Sequence, residues 1–199
     1  MGSGVSLSNP VAYHKMMLTN VGVPLGLFAL MASFYSAYIL MGYNWIWFSW
    51  HPSSMIMAYV AMAGNATLIK KVGGYDNTKN HGLIMIAATL LACFAFYVIY
   101  SNKNLQKKQH FTTLHGKLGL GVMLGYLGLG LFGAIGLNPD WGYVNKNKQL
   151  RAIHKFSGRL VTFMAWMCCV LGFQTMEKNI LYQGLFAVPL LVFSYFVLL

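Results

Sequence analysis

The feature that most constrains this chain is a series of long apolar runs separated by short polar gaps. A helix needs roughly 20 apolar residues to cross the hydrocarbon core of a bilayer, and only helices or closed barrels satisfy their backbone hydrogen bonds there. Each run is long enough for one such helix. The sequence therefore predicts six transmembrane helices, over residues 21–41, 47–69, 81–100, 114–137, 153–173 and 180–199.

The composition agrees with an all-α polytopic membrane protein. Hydrophobic residues make up 57% of the 199 residues and charged residues only 9%, whereas soluble domains carry about 25% charged residues. The gaps between the runs are too short to join separate domains. We therefore expect a polar N-terminal tail over residues 1–16 and a single six-helix transmembrane domain over residues 17–199.

The positive charge lies mainly in the gaps, which favours membrane lipid, an anionic cofactor or an anionic substrate over nucleic acid. Fourteen basic residues face three acidic ones, for a net charge of +11. With six spans, the side that holds both termini carries Lys15, Lys70, Lys71, Lys79, Lys146, Lys148, Arg151, Lys155 and Arg159; the other side carries Lys103, Lys107, Lys108, Lys117 and Lys178. Because cytoplasmic segments are enriched in Lys and Arg, this bias predicts that both termini are cytoplasmic.

Several common chemistries have no support in the sequence. There is no HExxH run for a zinc protease and no glycine-rich phosphate loop. The acidic residues Asp76, Asp140 and Glu177 all lie in gaps. Proton pumps and many transporters use carboxylates buried within the spans, so a carboxylate proton relay is not predicted. The three cysteines lie inside apolar runs and are expected only to pack.

Four of the six histidines open predicted spans: His51, His81, His115 and His154. Because successive spans run in opposite directions, His51 and His115 should lie near one membrane face. His81 and His154 should lie near the other. Two imidazoles on facing helices at one depth can fill both axial positions of a haem iron, which suits electron transfer rather than oxygen chemistry. The alternative is that each histidine is only an interfacial anchor.

Basic and small residues accompany the histidines. Lys117 and Arg159 follow His115 and His154 closely, where they could offset haem propionates; snorkelling to the interface explains them equally well. The fourth span is rich in glycine, from Gly119 to Gly133. Small residues in a membrane helix allow close helix packing and also leave room for a flat cofactor.

Four segments of the chain resemble the cytochrome b-561 family of transmembrane ascorbate-dependent reductases, and its short single-domain subgroup in particular. They are FSWHP at residues 48–52, NHG at 80–82, HFTTLHG at 110–116 and IHKFSG at 153–158. They occur in order and at family-like spacing. The resemblance covers about residues 17–199.

The resemblance implies a six-helix fold whose spans two to five form a core that binds two haem b groups. His51 and His115 would ligate the non-cytoplasmic haem, and His81 and His154 the cytoplasmic one. Cytoplasmic ascorbate would be the electron donor, and the monodehydroascorbate radical or ferric iron the acceptor. Relatives in the family suggest a homodimer, and we expect an endomembrane (the endoplasmic reticulum or a vesicle) rather than the plasma membrane.

The resemblance also suggests where substrates dock. Family members place basic residues just before the third and fifth spans, where Lys79 and either Lys148 or Arg151 would attract ascorbate. Electrons would leave near Lys108 and His110. No side chain would break or form a bond in the substrate. The alternative from a different class is a haem-free transporter or membrane scaffold.

Overall fold

The computed structural model describes residues 10–198, with the side chains of residues 10–14 and of Thr19 left undescribed. The predicted all-α class is confirmed. The helices are α1 (Pro10–Phe34), α2 (Trp50–Ile56), α3 (Ala63–Val72), α4 (Tyr75–Leu105), α5 (Leu114–Gly136), α6 (Lys148–Met176) and α7 (Ile180–Leu198). Residues 1–9 of the predicted tail lie outside the described residues, and residues 10–16 already belong to α1.

Within the described residues, five helical stretches are long and apolar enough to cross a membrane. They are Lys15–Ile39, Tyr75–Leu105, Leu114–Gly136, Lys148–Met176 and Ile180–Leu198. The chain is therefore a multi-pass integral membrane protein.

The predicted span over residues 47–69 is helical without a break, but its helix type changes along its length. A 3₁₀ turn (Trp47–Ser49) leads into α2, a π-helical segment (Met57–Met62) follows, and α3 completes the stretch. No single α-helix in this stretch is therefore long enough to span. A second π-helical segment, Tyr35–Ile39, continues α1. Such wide turns occur often at functional sites.

The prediction that residues 70–80 form a gap between two helices is wrong for most of this segment. Only Gly73 and Gly74 separate α3 from α4, and both adopt positive φ angles, of 81° and 97°. The polar residues that follow Gly74 already belong to α4. Asp76 lies in the first turn of this helix, where a carboxylate interacts favourably with the helix dipole. The apolar runs show which residues lie in the hydrocarbon core, and they do not mark where a helix begins. A helix that extends into the polar region is therefore longer than its apolar run.

The α-helix α6 also begins earlier than predicted, at Lys148, where the Asn147 side chain accepts a hydrogen bond from the Leu150 amide at 3.1 Å. His154 therefore lies well inside α6, and His81 lies well inside α4. The expectation that these two histidines open their helices is wrong. His51 and His115 do occupy the first turns of α2 and α5.

The helices pack largely as neighbours in chain order. Helix α3 packs on α4, α4 on α5, α5 on α6 and α6 on α7, while α1 lies against α3 and the π-helical segment Met57–Met62. Small residues allow these close approaches, and Ala58, Ala63, Ala92 and Ala95 are fully buried. Large apolar side chains cover much of the outer surface, as expected where helices face lipid.

Candidate functional site

The structure brings His51 of α2 and His115 of α5 together. Their ring centroids lie 6.3 Å apart and the ring planes are nearly perpendicular, at 84°. His115 is positioned at the start of α5 by the cap of that helix, in which the Thr113 hydroxyl accepts a hydrogen bond from the Gly116 amide at 3.1 Å. The predicted first pair is therefore adjacent in space.

Each of these two imidazoles is oriented by a backbone carbonyl of a neighbouring helix. His51 Nδ1 lies 3.0 Å from the Ala95 carbonyl oxygen, and His115 Nδ1 lies 3.0 Å from that of Cys168. Because a carbonyl can only accept, each Nδ1 carries the hydrogen. That tautomer makes Nε2 the nitrogen available for a metal, as in many histidine–metal sites.

The spacing of this pair fits a metal ion between the rings. Imidazole nitrogen binds metals at about 2.0–2.1 Å, so with a ring radius of about 1.1 Å a linear imidazole–metal–imidazole unit has centroids about 6.3 Å apart. The observed 6.3 Å agrees with that value. Half-buried imidazoles such as these are the ligands that a low-spin haem iron uses.

Helix α6 forms a close cradle for His115. A Cβ atom added at Gly172 would lie 2.7 Å from Cε1 and 3.1 Å from Nδ1 of the His115 ring. The Cys168 thiol lies 3.5 Å from His115 Nδ1 and 3.5 Å from its carbonyl oxygen. Only glycine at position 172 therefore leaves room for the imidazole where it stands.

A cavity of about 320 Å³ adjoins the pair, and most of its lining is apolar. Lys103, Tyr100 and His110 also line it. The His110 ring stacks on Tyr100 with centroids 4.3 Å apart, and His110 Nε2 lies 2.8 Å from Asn104 Oδ1. The cavity therefore offers an apolar body with basic and aromatic groups among its walls, which suits a flat molecule with an anionic edge.

The two histidines of the predicted second pair are held differently from those of the first. His81 Nδ1 lies 3.0 Å from the Ala66 carbonyl oxygen, as in the first pair. His154 Nδ1 is buried and has no hydrogen-bond partner among the described residues. A Cβ at Gly133 would lie 3.2 Å from His154 Cε1, and Phe132 packs nearby with ring centroids 6.1 Å apart. Both imidazoles are half-buried, but only that of His81 is held by a carbonyl.

The two side chains that were predicted to pair with haem propionates differ in their exposure. Lys117 is exposed, and Arg159 is half-buried near Lys71 on α3. Lys71 itself donates a hydrogen bond to the Phe196 carbonyl oxygen at 2.6 Å. The basic side chain that lines the first cavity is Lys103, which sequence reasoning placed only in a basic loop.

The predicted donor-side residue Lys79 is paired with an acid. Its Nζ lies 2.9 Å from Asp140 Oδ2, and Tyr75 donates a hydrogen bond to the other carboxylate oxygen of Asp140. The Tyr75 hydrogen bond and the Lys79 ion pair hold the pKa of the Asp140 carboxyl below its ordinary value. Lys148 and Arg151 are exposed in the first turn of α6. The donor-side cations are thus accessible, with one already partly neutralised.

On the opposite side, Lys108 is exposed in the link between α4 and α5. The short link after α6 contains Glu177, which is only 7% exposed. Tyr35 donates a hydrogen bond to Glu177 Oε2 at 2.6 Å, and this bond and the one from the Asn179 amide lower the pKa of the carboxyl. Glu177 therefore ties the α6–α7 link to the π-helical end of the first helix.

Sequence reasoning missed three residues of the first site: Lys103, Gly172 and Tyr59. Tyr59 and Lys103 line the cavity, and Gly172 contacts His115. Gly172 has no neighbouring motif, and Tyr59 lies within an apolar run that predicts only packing. These roles depend on which helix faces which.

Comparisons with known proteins find similar sequences. A family model described as eukaryotic cytochrome b561 matches residues 50–179, which contain all four histidines. The chain is 25% identical over 138 residues to transmembrane reductase CYB561D2 of Bos taurus, and 28% identical over 138 residues to that of Mus musculus. Each alignment covers 63% of this chain, which spans only 60% of the length of either relative.

Proposed function

Since the chain belongs to the eukaryotic cytochrome b561 family, we propose that it is a transmembrane oxidoreductase that passes electrons across the bilayer by means of two haem b groups. The family binds haem b. The observation that carries the proposal is the His51–His115 pair, whose 6.3 Å centroid spacing and carbonyl-bound Nδ1 atoms suit axial ligation.

Haem b supplies an iron that gains and loses one electron. The residues of this chain fix its position and surroundings. His51 and His115 would hold one haem, and His81 and His154 would hold the other. The bound group would supply one-electron transfer, and the apolar cavity walls would keep water away from it. Lys117 and Arg159 are the proposed partners of the propionates, with Lys103 added by its place in the cavity wall.

We assign the donor role to ascorbate and its docking to Lys79, Lys148 and Arg151. Ascorbate is an anion that gives up one electron and one proton, and basic side chains attract and orient it. Since Lys79 already pairs with Asp140 at 2.9 Å, ascorbate would compete with that carboxylate for the ammonium. Lys148 and Arg151, which are exposed on α6, have no such competitor among the described ion pairs.

The acceptor is proposed to bind beside the first cavity, where His110 and Lys103 line the wall and Lys108 lies in the adjoining link. A monodehydroascorbate radical would take one electron and one proton there, and ferric iron would take one electron. We also propose six spans with both termini cytoplasmic, an endomembrane location and a homodimer.

A haem assay on the purified protein tests the proposal. The pyridine haemochrome method should give two haem b per chain after haem-replete expression. His51→Ala and His81→Ala should each remove one haem and leave the other largely bound. A flat Soret region in the wild-type protein would instead favour a haem-free transporter or scaffold, and an unchanged haem count in both variants would refute the ligand pairs.

Steady-state assays separate the two acceptors. Ascorbate-dependent reduction should be measured with monodehydroascorbate and with a ferric chelate in turn. Faster turnover with one of them identifies the acceptor class. Failure to oxidise ascorbate would remove ascorbate from the proposal.

A further inference from the structure

Tyr59 occupies a position between the two histidine pairs. It belongs to the π-helical segment Met57–Met62, lines the first cavity and is only 4% exposed. At about 1.5 Å per residue, it lies roughly 12 Å along the helix from His51 and roughly 10 Å from Ala66, whose carbonyl holds His81. Tyr59 is therefore near mid-depth, at the inner end of the first cavity.

Tyr126 occupies the matching depth on α5. At the same rise it lies roughly 16 Å from His115 and roughly 10 Å from Gly133, which packs on His154. The Tyr59 and Tyr126 rings pack with centroids 4.7 Å apart. The two tyrosines thus fill the middle of the bundle, between the two sites.

Neighbouring helices fix Tyr59 in this place. The Trp166 indole of α6 donates a hydrogen bond to the Tyr59 carbonyl oxygen at 2.8 Å. On the other side, the Tyr126 ring is anchored because its hydroxyl lies 3.1 Å from the Thr162 hydroxyl. The Tyr59 backbone and the ring packed against its side chain are thus both held in place.

The two hydroxyls differ in one respect. That of Tyr126 is satisfied by Thr162, whereas the Tyr59 hydroxyl is buried and has no hydrogen-bond partner among the described residues. An unsatisfied buried hydroxyl costs about 1–3 kcal/mol, a penalty that phenylalanine, with the same ring, would avoid. The Tyr59 side chain lines the first cavity while its hydroxyl oxygen stays buried, so the O–H dipole lies beside whatever fills that cavity.

We propose that Tyr59 is a cofactor-contact residue of the first site, whose free hydroxyl raises the reduction potential of the haem held by His51 and His115. This inference rests on the proposed function. With no acceptor among the described residues, the O–H bond is not committed to another protein group. A donor dipole in a low-dielectric interior stabilises the reduced form, which carries one more electron. Tyr59 itself loses neither an electron nor a proton.

Redox potentiometry on the haem-loaded protein tests this inference. Tyr59→Phe should keep two haems per chain and lower the midpoint potential of one component only. The same change in a His81→Ala background, which retains only the first pair, should show that shift on the remaining haem. Tyr126→Phe is the matched control, since it removes a mid-depth hydroxyl that is already bonded to Thr162, and it should leave both potentials unchanged.

Three outcomes would overturn the assignment: no change or a rise in potential in Tyr59→Phe, an equal shift of both components, or an equal shift in Tyr126→Phe. The first outcome would mean that the hydroxyl is only a tolerated buried group. The second would mean that its effect is a general change in packing. Absence of haem from the wild-type protein would be a different failure, because it would remove the proposed function itself.

Discussion

In the first histidine pair, both His51 and His115 donate Nδ1–H to a backbone carbonyl oxygen at 3.0 Å. In the predicted second pair, only His81 makes such a bond. The Nδ1 atom of His154 is buried and has no hydrogen-bond partner among the described residues. Packing differs in the same direction. A Cβ atom added at position 172 would lie 2.7 Å from the His115 ring, whereas one added at position 133 would lie 3.2 Å from the His154 ring. The same residue type is thus held rigidly at one face and less completely at the other.

This difference shows that the neighbouring helix, and not the histidine, decides how a ligand is oriented. Each acceptor carbonyl belongs to a small residue, Ala95, Cys168 or Ala66, where two helices approach closely. Such second-layer hydrogen bonds fix the imidazole plane and raise its basicity as a ligand. The two sites should therefore respond differently to matched changes.

The largest expected effect is that of Gly172→Ala. Since no real Cβ tolerates 2.7 Å to a ring carbon, His115 must move, at a cost of about 1–3 kcal/mol for overpacking, or roughly 5- to 150-fold weaker haem retention. Haem content after extended washing measures the loss, which should fall on one haem. Gly121→Ala is the control, because a Cβ there meets nothing within 4 Å. Full retention of both haems in Gly172→Ala would contradict the cradle around His115.

A smaller loss is expected for Gly133→Ala. A Cβ at 3.2 Å from His154 Cε1 requires a shift of only a few tenths of an ångström, so haem retention should weaken by less than about tenfold. The same washing assay applies, and the affected haem should be the one that survives in His51→Ala. A loss larger than that of Gly172→Ala would reverse the proposed order of rigidity.

The reduction potentials should also differ between the pairs. Because two carbonyl-bound imidazoles donate more electron density than one, the His51–His115 site should stabilise ferric iron more strongly through its ligands. The haem that remains in His81→Ala should therefore have a lower potential than the haem that remains in His51→Ala, even with the contribution proposed for Tyr59. Spectropotentiometric titration of the two variants gives the order, and the opposite order would show that ligand hydrogen bonding does not dominate.

The smallest effect concerns the Lys79–Asp140 ion pair at the second face. The pKa of Asp140 is lowered from its ordinary value of 3.8, so the stabilisation by the pair is present above that value and is lost as pH falls through the lower folded pKa. Near neutral pH, substitution rather than titration must break the pair. Asp140→Asn should free Lys79 and lower the KM for ascorbate by up to about fivefold, the range of an exposed ion pair.

Asp76→Asn, which removes an exposed carboxylate in the first turn of α4, serves as the control for that change and should leave the KM unchanged. Haem content should be the same in both variants. An unchanged KM in Asp140→Asn would argue against Lys79 as a docking residue, leaving Lys148 and Arg151.

Sequence reasoning predicted the helical class and brought His51 together with His115, because alternating helix direction sorts residues by membrane face. It misplaced the starts of α4 and α6, since polar helical turns such as those before His81 and His154 carry no apolar signal. It proposed Lys79 as a docking residue for ascorbate but missed its ion pair with Asp140, because Asp140 is far from it along the chain.

The sequence by itself thus determined what belongs to single segments: the lengths of the apolar runs, the charge bias and the shared face of His51 and His115. The tertiary structure alone decided what depends on contact across helices, namely the carbonyls that orient three histidines, the glycine that admits His115 and the unpartnered hydroxyl of Tyr59. Depth follows from hydrophobicity, which is a property of each segment. Contact follows from the rotation and close approach of two helices, which no single segment encodes.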